Sequence, residues 1–331
     1  MRPLYFTLLS LAGFYSCKHD EHNSIGSIER IDSSINDIIS TDAAIEIIAE
    51  GFEWTEGPLW IEDQKMLLFS DIPANKVYKW TEENGIEEYL QPSGYTQDIQ
   101  RGGETGSNGL LLNNEGKLVL CQHGNRQMAV MDADVKEPKP IFKAIADKYQ
   151  LRKFNSPNDA VYRKNGDLFF TDPPYGLEKN MDDPLKEIPF QGVYKVDTSG
   201  NVFLLTDSIT RPNGIVFTPD EKTLIIANSD SKKAIWYAFD LDENDSLVNA
   251  RIFYDASSAT KSGKGVPDGC KIDKNGNLFA TGPGGVWIFN KDAKLLGKIL
   301  IPEATSNCAF SPDEKTLYIT ADMYVLRVKL R

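Results

Sequence analysis

The chain has 331 residues, 41% of them hydrophobic and 10% aromatic, enough for one large globular domain or two ordinary ones. Its 36 Lys and Arg against 48 Asp and Glu leave a net charge of -12, which excludes a nucleic-acid partner because nothing would neutralise phosphates. The acidic residues are dispersed, a pattern of solubility rather than of a binding patch.

The first predicted element is a leader. MRPLYFTLLSLAGFYSC has one Arg and then an apolar run over residues 4–15, too short to cross a bilayer as a mature helix. Residues 1–16 read as a secretory signal peptide. Ser16-Cys17 resembles a bacterial lipoprotein cleavage site that leaves Cys17 as an acylated first residue, with ordinary cleavage nearby as the alternative. Residues 17–42 are polar, lack strand periodicity and are expected to form a flexible tether. The protein is therefore expected to be exported and lipid-anchored in the bacterial cell envelope, facing the periplasm rather than the cell surface. It would touch the membrane only through that lipid. Beyond the leader, Cys121, Cys270 and Cys308 each lie in or beside an apolar strand and form no CxxC pair, so buried small hydrophobes are expected. His123 is the one histidine beyond the tether, which excludes a His-rich zinc site.

From residue 43 onward one pattern recurs: an acid or amide, a short strand, a polar turn and a second strand. The copies begin at Glu56, Asn108, Asn158, Asn213, Asp268 and Asn307, at intervals of 52, 50, 55, 55 and 39 residues. Turns such as NNEGK, KNGD and PDEK suit tight hairpins, and a further apolar segment follows most of them. A repeat of about 50 residues built of short strands has the length of a four-stranded propeller blade. After Asn307 only three strands fit, while AAIEIIAEGF at residues 43–52 precedes the first copy without a blade of its own. Pairing that segment as the outer strand of the last blade leaves no open edge at the seam. The expected fold is all-β, a six-bladed propeller of four-stranded blades over residues 43–331. A two-sheet sandwich would not explain six equal phases. The sequence IFKAIADKY, residues 141–149, allows one short helix.

The six copies share a phase, so their first residues are expected to ring one mouth of the central channel. The ends of the second strands, Asp71, His123, Asp172, Asn228 and Asp322, are expected to form an outer ring on the same face. One Asn-Gly or Asp-Gly alone would read as a turn. Here the dipeptide precedes the inner strand and does not lie in the hairpin turn. Buried carboxylates at close quarters call for a cation, and mixed acid and amide oxygens suit a hard ion, Ca²⁺ first, with Mg²⁺, Mn²⁺ or Zn²⁺ as alternatives. The two carboxylates Glu56 and Asp268 match one divalent charge, and the amides complete the shell.

The stretches TEGPLW, SNGLLLNNEGKLVLCQHGNRQ, KFNSPNDAVYRKNGDLFFTDPPYGL, RPNGIVFTPDEKTLIIANSD and VPDGCKIDKNGNLFATGPGGVWIF resemble the gluconolactonase and regucalcin family, also called the luciferin-regenerating-enzyme family. The long FNSPND and FTDPPYGL form is similar to the bacterial gluconolactonase branch. The resemblance implies a six-bladed propeller with one axial divalent metal held by Glu56, Asn213 and Asp268. It places Asn158 against metal-bound water or substrate. The implied chemistry is hydrolysis of a small sugar-acid lactone, with Asp268 as ligand and general base and with Asn158 and Asn108 orienting water and substrate hydroxyls. His123 is expected as a proton acceptor or substrate contact, or as a structural hydrogen-bonding group. Arg126 is expected to meet the ligand or to sit in an exposed ion pair. Residues 172–192 are long enough to form a pocket rim that offers Tyr175 as a wall, or else a solvated insertion. Two rivals remain: another ester, phosphotriester or modified glycoside as substrate, or a non-catalytic sugar- or protein-binding propeller. No protein partner is implied.

Overall fold

In the computed structural model, residues 23–99 and 101–331 are described; the leader and Cys17 lie outside them. Six antiparallel sheets follow one another along the chain as the blades of a propeller. Their inner strands are Thr55–Ile61, Ser107–Leu112, Ala160–Tyr162, Pro212–Phe217, Cys270–Ile272 and Thr305–Phe310. The early strand Ile45–Glu50 pairs with Tyr324–Lys329 and completes blade six, which closes the ring as the sequence implied.

Successive residues of a strand point to opposite faces, and here both faces are buried because each blade is packed between two neighbours. Leu67 packs with Tyr318 and Val325 of blade six, while Leu68 packs with Leu110 and Leu118 of blade two. Phe169 and Phe170 divide in the same way between blades four and two. The hydrophobic core is thus six clusters, one per blade interface. Cys121, Cys270 and Cys308 are free thiols within three of them, in the buried role expected.

The inner strands share an irregularity where they begin. Pairing with the second strand slips between Glu56 and Leu59, Ser107 and Leu110, Pro212 and Ile215, and Thr305 and Asn307. In blades three and five the regular ladder starts only at Ala160 and Cys270, after Asn158 and Asp268. Such bulges re-aim a side chain; here they turn the first residue of each copy toward the axis while the rest of the strand feeds the core. The glycine that follows permits close approach of the next blade. A Cβ on Gly214 would lie 2.2 Å from the carbonyl oxygen of Asp268.

Two expectations are corrected. Residues 141–149 contain no helix; Phe142–Ala146 is the outer strand of blade two. The free ladder groups on the third strand, Gln127–Met131, need partners, and that tertiary demand outweighs local helix propensity. The stretch expected to be a tether is, from Asn23 on, part of the fold. Ser27–Arg30 adds a fifth strand to blade five by pairing with Leu295–Leu300. The short 3₁₀ turn Ser33–Asp37 follows, and Ile35 and Ile39 are buried in the cluster between blades five and six. Arg30 fastens the return by donating to the carbonyls of Ile39 (3.0 Å) and Ser40 (2.6 Å).

Ile35→Ala should therefore cost about 2–5 kcal/mol of unfolding free energy, as for other buried Ile truncations. Urea denaturation would read it; an unchanged midpoint would return residues 23–42 to the role of a tether.

Candidate active site

Five of the six ring positions open on one cavity of about 170 Å³ at the mouth of the channel. Its lining includes Glu56, Asn108, Asn158, Asn213 and Asp268, with Tyr175, Trp54, Ser229, Val266 and Glu104 as walls. Asn307, from the sixth blade, supports the ring from the side by donating its Nδ2 to Oε2 of Glu56 at 3.2 Å. The same oxygen accepts from the Gly57 N–H at 2.7 Å, which fixes the Glu56 carboxylate.

The remaining oxygens are left free. Oδ1 of Asn108, Asn158, Asn213 and Asp268 are all buried, and among the described residues none has a hydrogen-bond partner. Each such group costs about 1–3 kcal/mol if nothing meets it. Four aimed into one cavity beside a buried carboxylate form a donor set for a hard cation. Only two of the donors are acids, and among the described residues no group of three His, Cys, Asp or Glu is placed to hold a metal ion by itself. The donor set therefore fits an oxygen-ligated divalent ion rather than zinc in a His or Cys site.

Electrostatics point the same way. Burial pushes the Glu56 carboxyl up to about 8, although its Gly57 hydrogen bond works against that. Burial also holds Asp268 well above the usual carboxylate range, with the charges of Glu56, Asp159 and Glu104 adding to it. Below the ring lies a pair that sequence reasoning missed. Lys271 Nζ stands 3.9 Å from Asp159 Oδ2 and donates to the Cys270 carbonyl at 3.1 Å and to Asn307 Oδ1 at 3.3 Å. Burial works against the Lys271 charge, but Asp159 and the other anionic groups hold the ammonium above its ordinary value. Asp159 was legible as the acid of the SPND stretch; nothing marked Lys271.

Tyr175 reaches the cavity, as the long loop suggested. Burial, with the Asp268 charge beside it, pushes its phenol up to about 12, and the Arg211 guanidinium lies 5.8 Å from its ring centre. Arg126 does not reach it. Its guanidinium donates to the carbonyls of Phe154 (2.6 Å), Leu185 (2.8 Å) and Lys153 (3.3 Å) and staples blade two to the loops of blade three. The expected outer ring is likewise corrected. The Asp71 carboxylate accepts from the N–H groups of Glu53 (3.3 Å) and Trp54 (3.1 Å), and Asp172 accepts from Asn155 and Ser156, both at 2.8 Å. Asn228 accepts from Arg211 N–H at 2.8 Å. Asp322 enters through its backbone carbonyl, which accepts from Thr55 N–H at 2.9 Å. These residues tie down the segments leading into the inner strands. His123 is fully buried behind Glu104 rather than in the lining.

The family model described as SMP-30/Gluconolactonase/LRE-like region matches residues 54–322. The chain belongs to this family. It is 35% identical over 320 residues to a protein of Zymomonas mobilis subsp. mobilis named gluconolactonase, covering 93% of this chain and 87% of that one. It is 25% identical over 272 residues to pentonolactonase XacC of Haloferax volcanii, covering 80% of each. The solved structure of XC5397 from Xanthomonas campestris, described as a gluconolactonase, superposes with a TM-score of 0.79 at 26% identity, over 93% of this chain and 98% of that one.

Two carboxyls titrating above their unfolded values make the fold pH-dependent. Their contribution is fully present below the usual carboxylate range and lost as pH rises through the folded values, about 8 for Glu56. In chelator, melting temperature should therefore fall as pH approaches 8. Asp268→Asn should flatten that fall and raise stability at pH 8, because a buried charge is removed. The same variant should lose the stabilisation that added Ca²⁺ gives the parent. Thermal melts across pH, with and without Ca²⁺, check both; a variant still stabilised like the parent would remove Asp268 from the donor set.

Proposed function

We propose that the protein is a cation-dependent lactonase that hydrolyses small sugar-acid lactones. What carries this reading is the set of four partnerless buried oxygens beside Glu56 in one small cavity, in a chain whose family includes relatives named gluconolactonase and pentonolactonase. Glu56, Asn213 and Asp268 would hold the cation, with Ca²⁺ the best match to a donor set of two carboxylates and amides. Such an ion supplies polarisation of an ester carbonyl and a more acidic water.

The chain's own residues do the rest. The Gly57 N–H and the Asn307 amide keep the Glu56 carboxylate turned to the axis. Asn158 and Asn108 present carbonyl oxygens to the cavity and can accept from water or from sugar hydroxyls. Tyr175 and Trp54 give the cavity flat apolar walls of the kind a sugar ring stacks against. A volume near 170 Å³ suits a single small ring, not a polymer or a protein segment. The lactone opens by attack of water on its carbonyl, releasing the hydroxy acid. The reading also keeps the enzyme in the cell envelope, held by a lipid on Cys17.

Chelator-stripped protein should open none of a panel of five- and six-membered sugar-acid lactones, and stepwise return of Ca²⁺, Mg²⁺, Mn²⁺ or Zn²⁺ should restore activity, Ca²⁺ best. Asn213→Ala should lower kcat/KM at least about 100-fold at fixed Ca²⁺, comparable to loss of one stabilising donor. Parent protein that opens no lactone, or turns over an aryl ester or phosphotriester instead, would sink the substrate assignment. Activity indifferent to chelation would sink the cation.

A further inference from the structure

Of the three carboxylates in the cavity lining, Glu56 and Asp268 belong to the axial ring and Glu104 does not. Glu104 comes from the segment between blades one and two, and its side chain keeps 37% of its surface exposed at the cavity wall. Its Oε2 stands 3.3 Å from Nδ1 of His123. That imidazole is wholly buried, and among the described residues neither of its nitrogens has a hydrogen-bond partner. A polar ring so enclosed needs a reason. It is packed tightly: a Cβ on Gly176 would lie 2.6 Å from the Cβ of His123 and 2.7 Å from that of Ser156. Gly176, in the loop that follows Tyr175, thus lies directly against His123 and leaves no room there for a side chain.

The segment that carries Glu104 is held on both sides. Before it, Arg101 donates to the Gly124 carbonyl at 3.1 Å and lies 5.0 Å over the Tyr95 ring. After it, Gly106 N–H donates to the Ile72 carbonyl at 2.8 Å, and the Gly106 carbonyl accepts from His123 N–H at 3.2 Å. Thus the backbone of His123 positions the segment and its ring backs the carboxylate.

We propose that Glu104 is the general base of lactone hydrolysis and that His123 is the residue that positions it. The assignment rests on the lactonase reading above and changes which acid moves the proton. Asp268 is a poor choice: its Oδ1 is buried and aimed into the donor set, where a cation would hold it. A base must reach water without being bound into the ligand shell, and Glu104 is the lining carboxylate that does. It takes one proton from water as the water oxygen bonds to the lactone carbonyl carbon. The carbonyl re-forms as the ring C–O bond breaks, and Glu104 returns the proton to the departing ring oxygen, which becomes a hydroxyl. The new carboxylic acid releases its own proton to solvent.

The experiment is steady-state lactone hydrolysis by the parent and by Glu104→Gln, Glu104→Ala, His123→Asn and the Gln–Asn double variant, each also melted with and without Ca²⁺. Glu104→Gln should lose about 10²–10⁴-fold in kcat, the usual worth of a general base. Its KM should stay within about threefold and its Ca²⁺-induced melting shift should equal the parent's, which also reports that it is folded. Formate should restore part of the activity of Glu104→Ala. His123→Asn should lower kcat by about tenfold and add nothing in the double variant, as for residues acting as a unit. Three results overturn the assignment while leaving lactonase activity standing: an unchanged kcat in Glu104→Gln, a raised KM alone, or a lost Ca²⁺ shift. Parent protein inactive on every lactone overturns the reading beneath it.

Discussion

Glu56 and Asn307 are separated by 251 positions in the chain yet share a hydrogen bond of 3.2 Å, because Ile45–Glu50 closes the ring against Tyr324–Lys329. The seam between blades six and one is stitched at the same depth. Ser306 Oγ donates to the Thr55 carbonyl at 2.6 Å, and Thr55 Oγ1 lies within 3.0 Å of the Asp322 carbonyl and 2.9 Å of the Tyr324 carbonyl. Every donor in the cavity comes from a different blade, so none of them meets another until the circle is complete. Binding of a cation at the axis would in turn draw the blades together, since ligand binding to the folded state alone adds to its stability. Closure and site are therefore one cooperative feature: the strand that ends the sheet also sets the ligand geometry.

At the axis the structure gives up stability for that geometry. Three acids, Glu56, Asp159 and Asp268, act on one another near the axis against a single ammonium, Lys271, a formal balance of -2. Left alone, that balance costs free energy, which is why burial and mutual repulsion shift Glu56 and Asp268 upward. One divalent ion would cancel it. The unpartnered amides contribute in the same direction, because their oxygens would be satisfied by the same event that would neutralise the acids. A neutral, fully bonded hub would make a more stable propeller with no reason to bind anything.

Much of this was legible in the sequence. The recurrence of an acid or amide before each inner strand predicted the blades, the closing strand and the ring, because strand phase and loop length leave little freedom once a blade repeats. The failures have a common cause. Asp71, Asp172, Asn228 and Arg126 are the residue types a site would use, but their heads are spent on backbone groups of neighbouring loop segments. Backbone N–H and C=O groups of a loop must find partners, and residue type does not reveal which side chains serve them. Ser27–Arg30 was missed because its pairing is to Leu295–Leu300, far along the chain, and its four residues are too few for their alternation to stand out in the sequence. Glu104 lay in a segment with no repeat to place it. Only the fold folds that segment over the cavity.

The exceptions to the repeat carry as much meaning as the repeat itself. Most copies follow the ring residue with glycine, whereas blade three has Asp159 there. The position is crowded from blade two: a Cβ on Gly109 would lie 2.8 Å from the Asn158 carbonyl oxygen and 3.1 Å from Oδ1 of Asp159. The glycine of one blade thus makes room for the acid of the next. That acid then needs a counter-charge, and blade five supplies Lys271 from the start of its own inner strand. Gly109, Asp159 and Lys271 form a chain of dependence across three blades that no single copy of the motif contains. Its effect is to add one negative and one positive charge below the ring, leaving the charge seen by an axial ion at that of Glu56 and Asp268 while bracing the Asn307 amide that holds Glu56 in place. The site's charge is thus set by the ring, and its rigidity by the departures from the repeat.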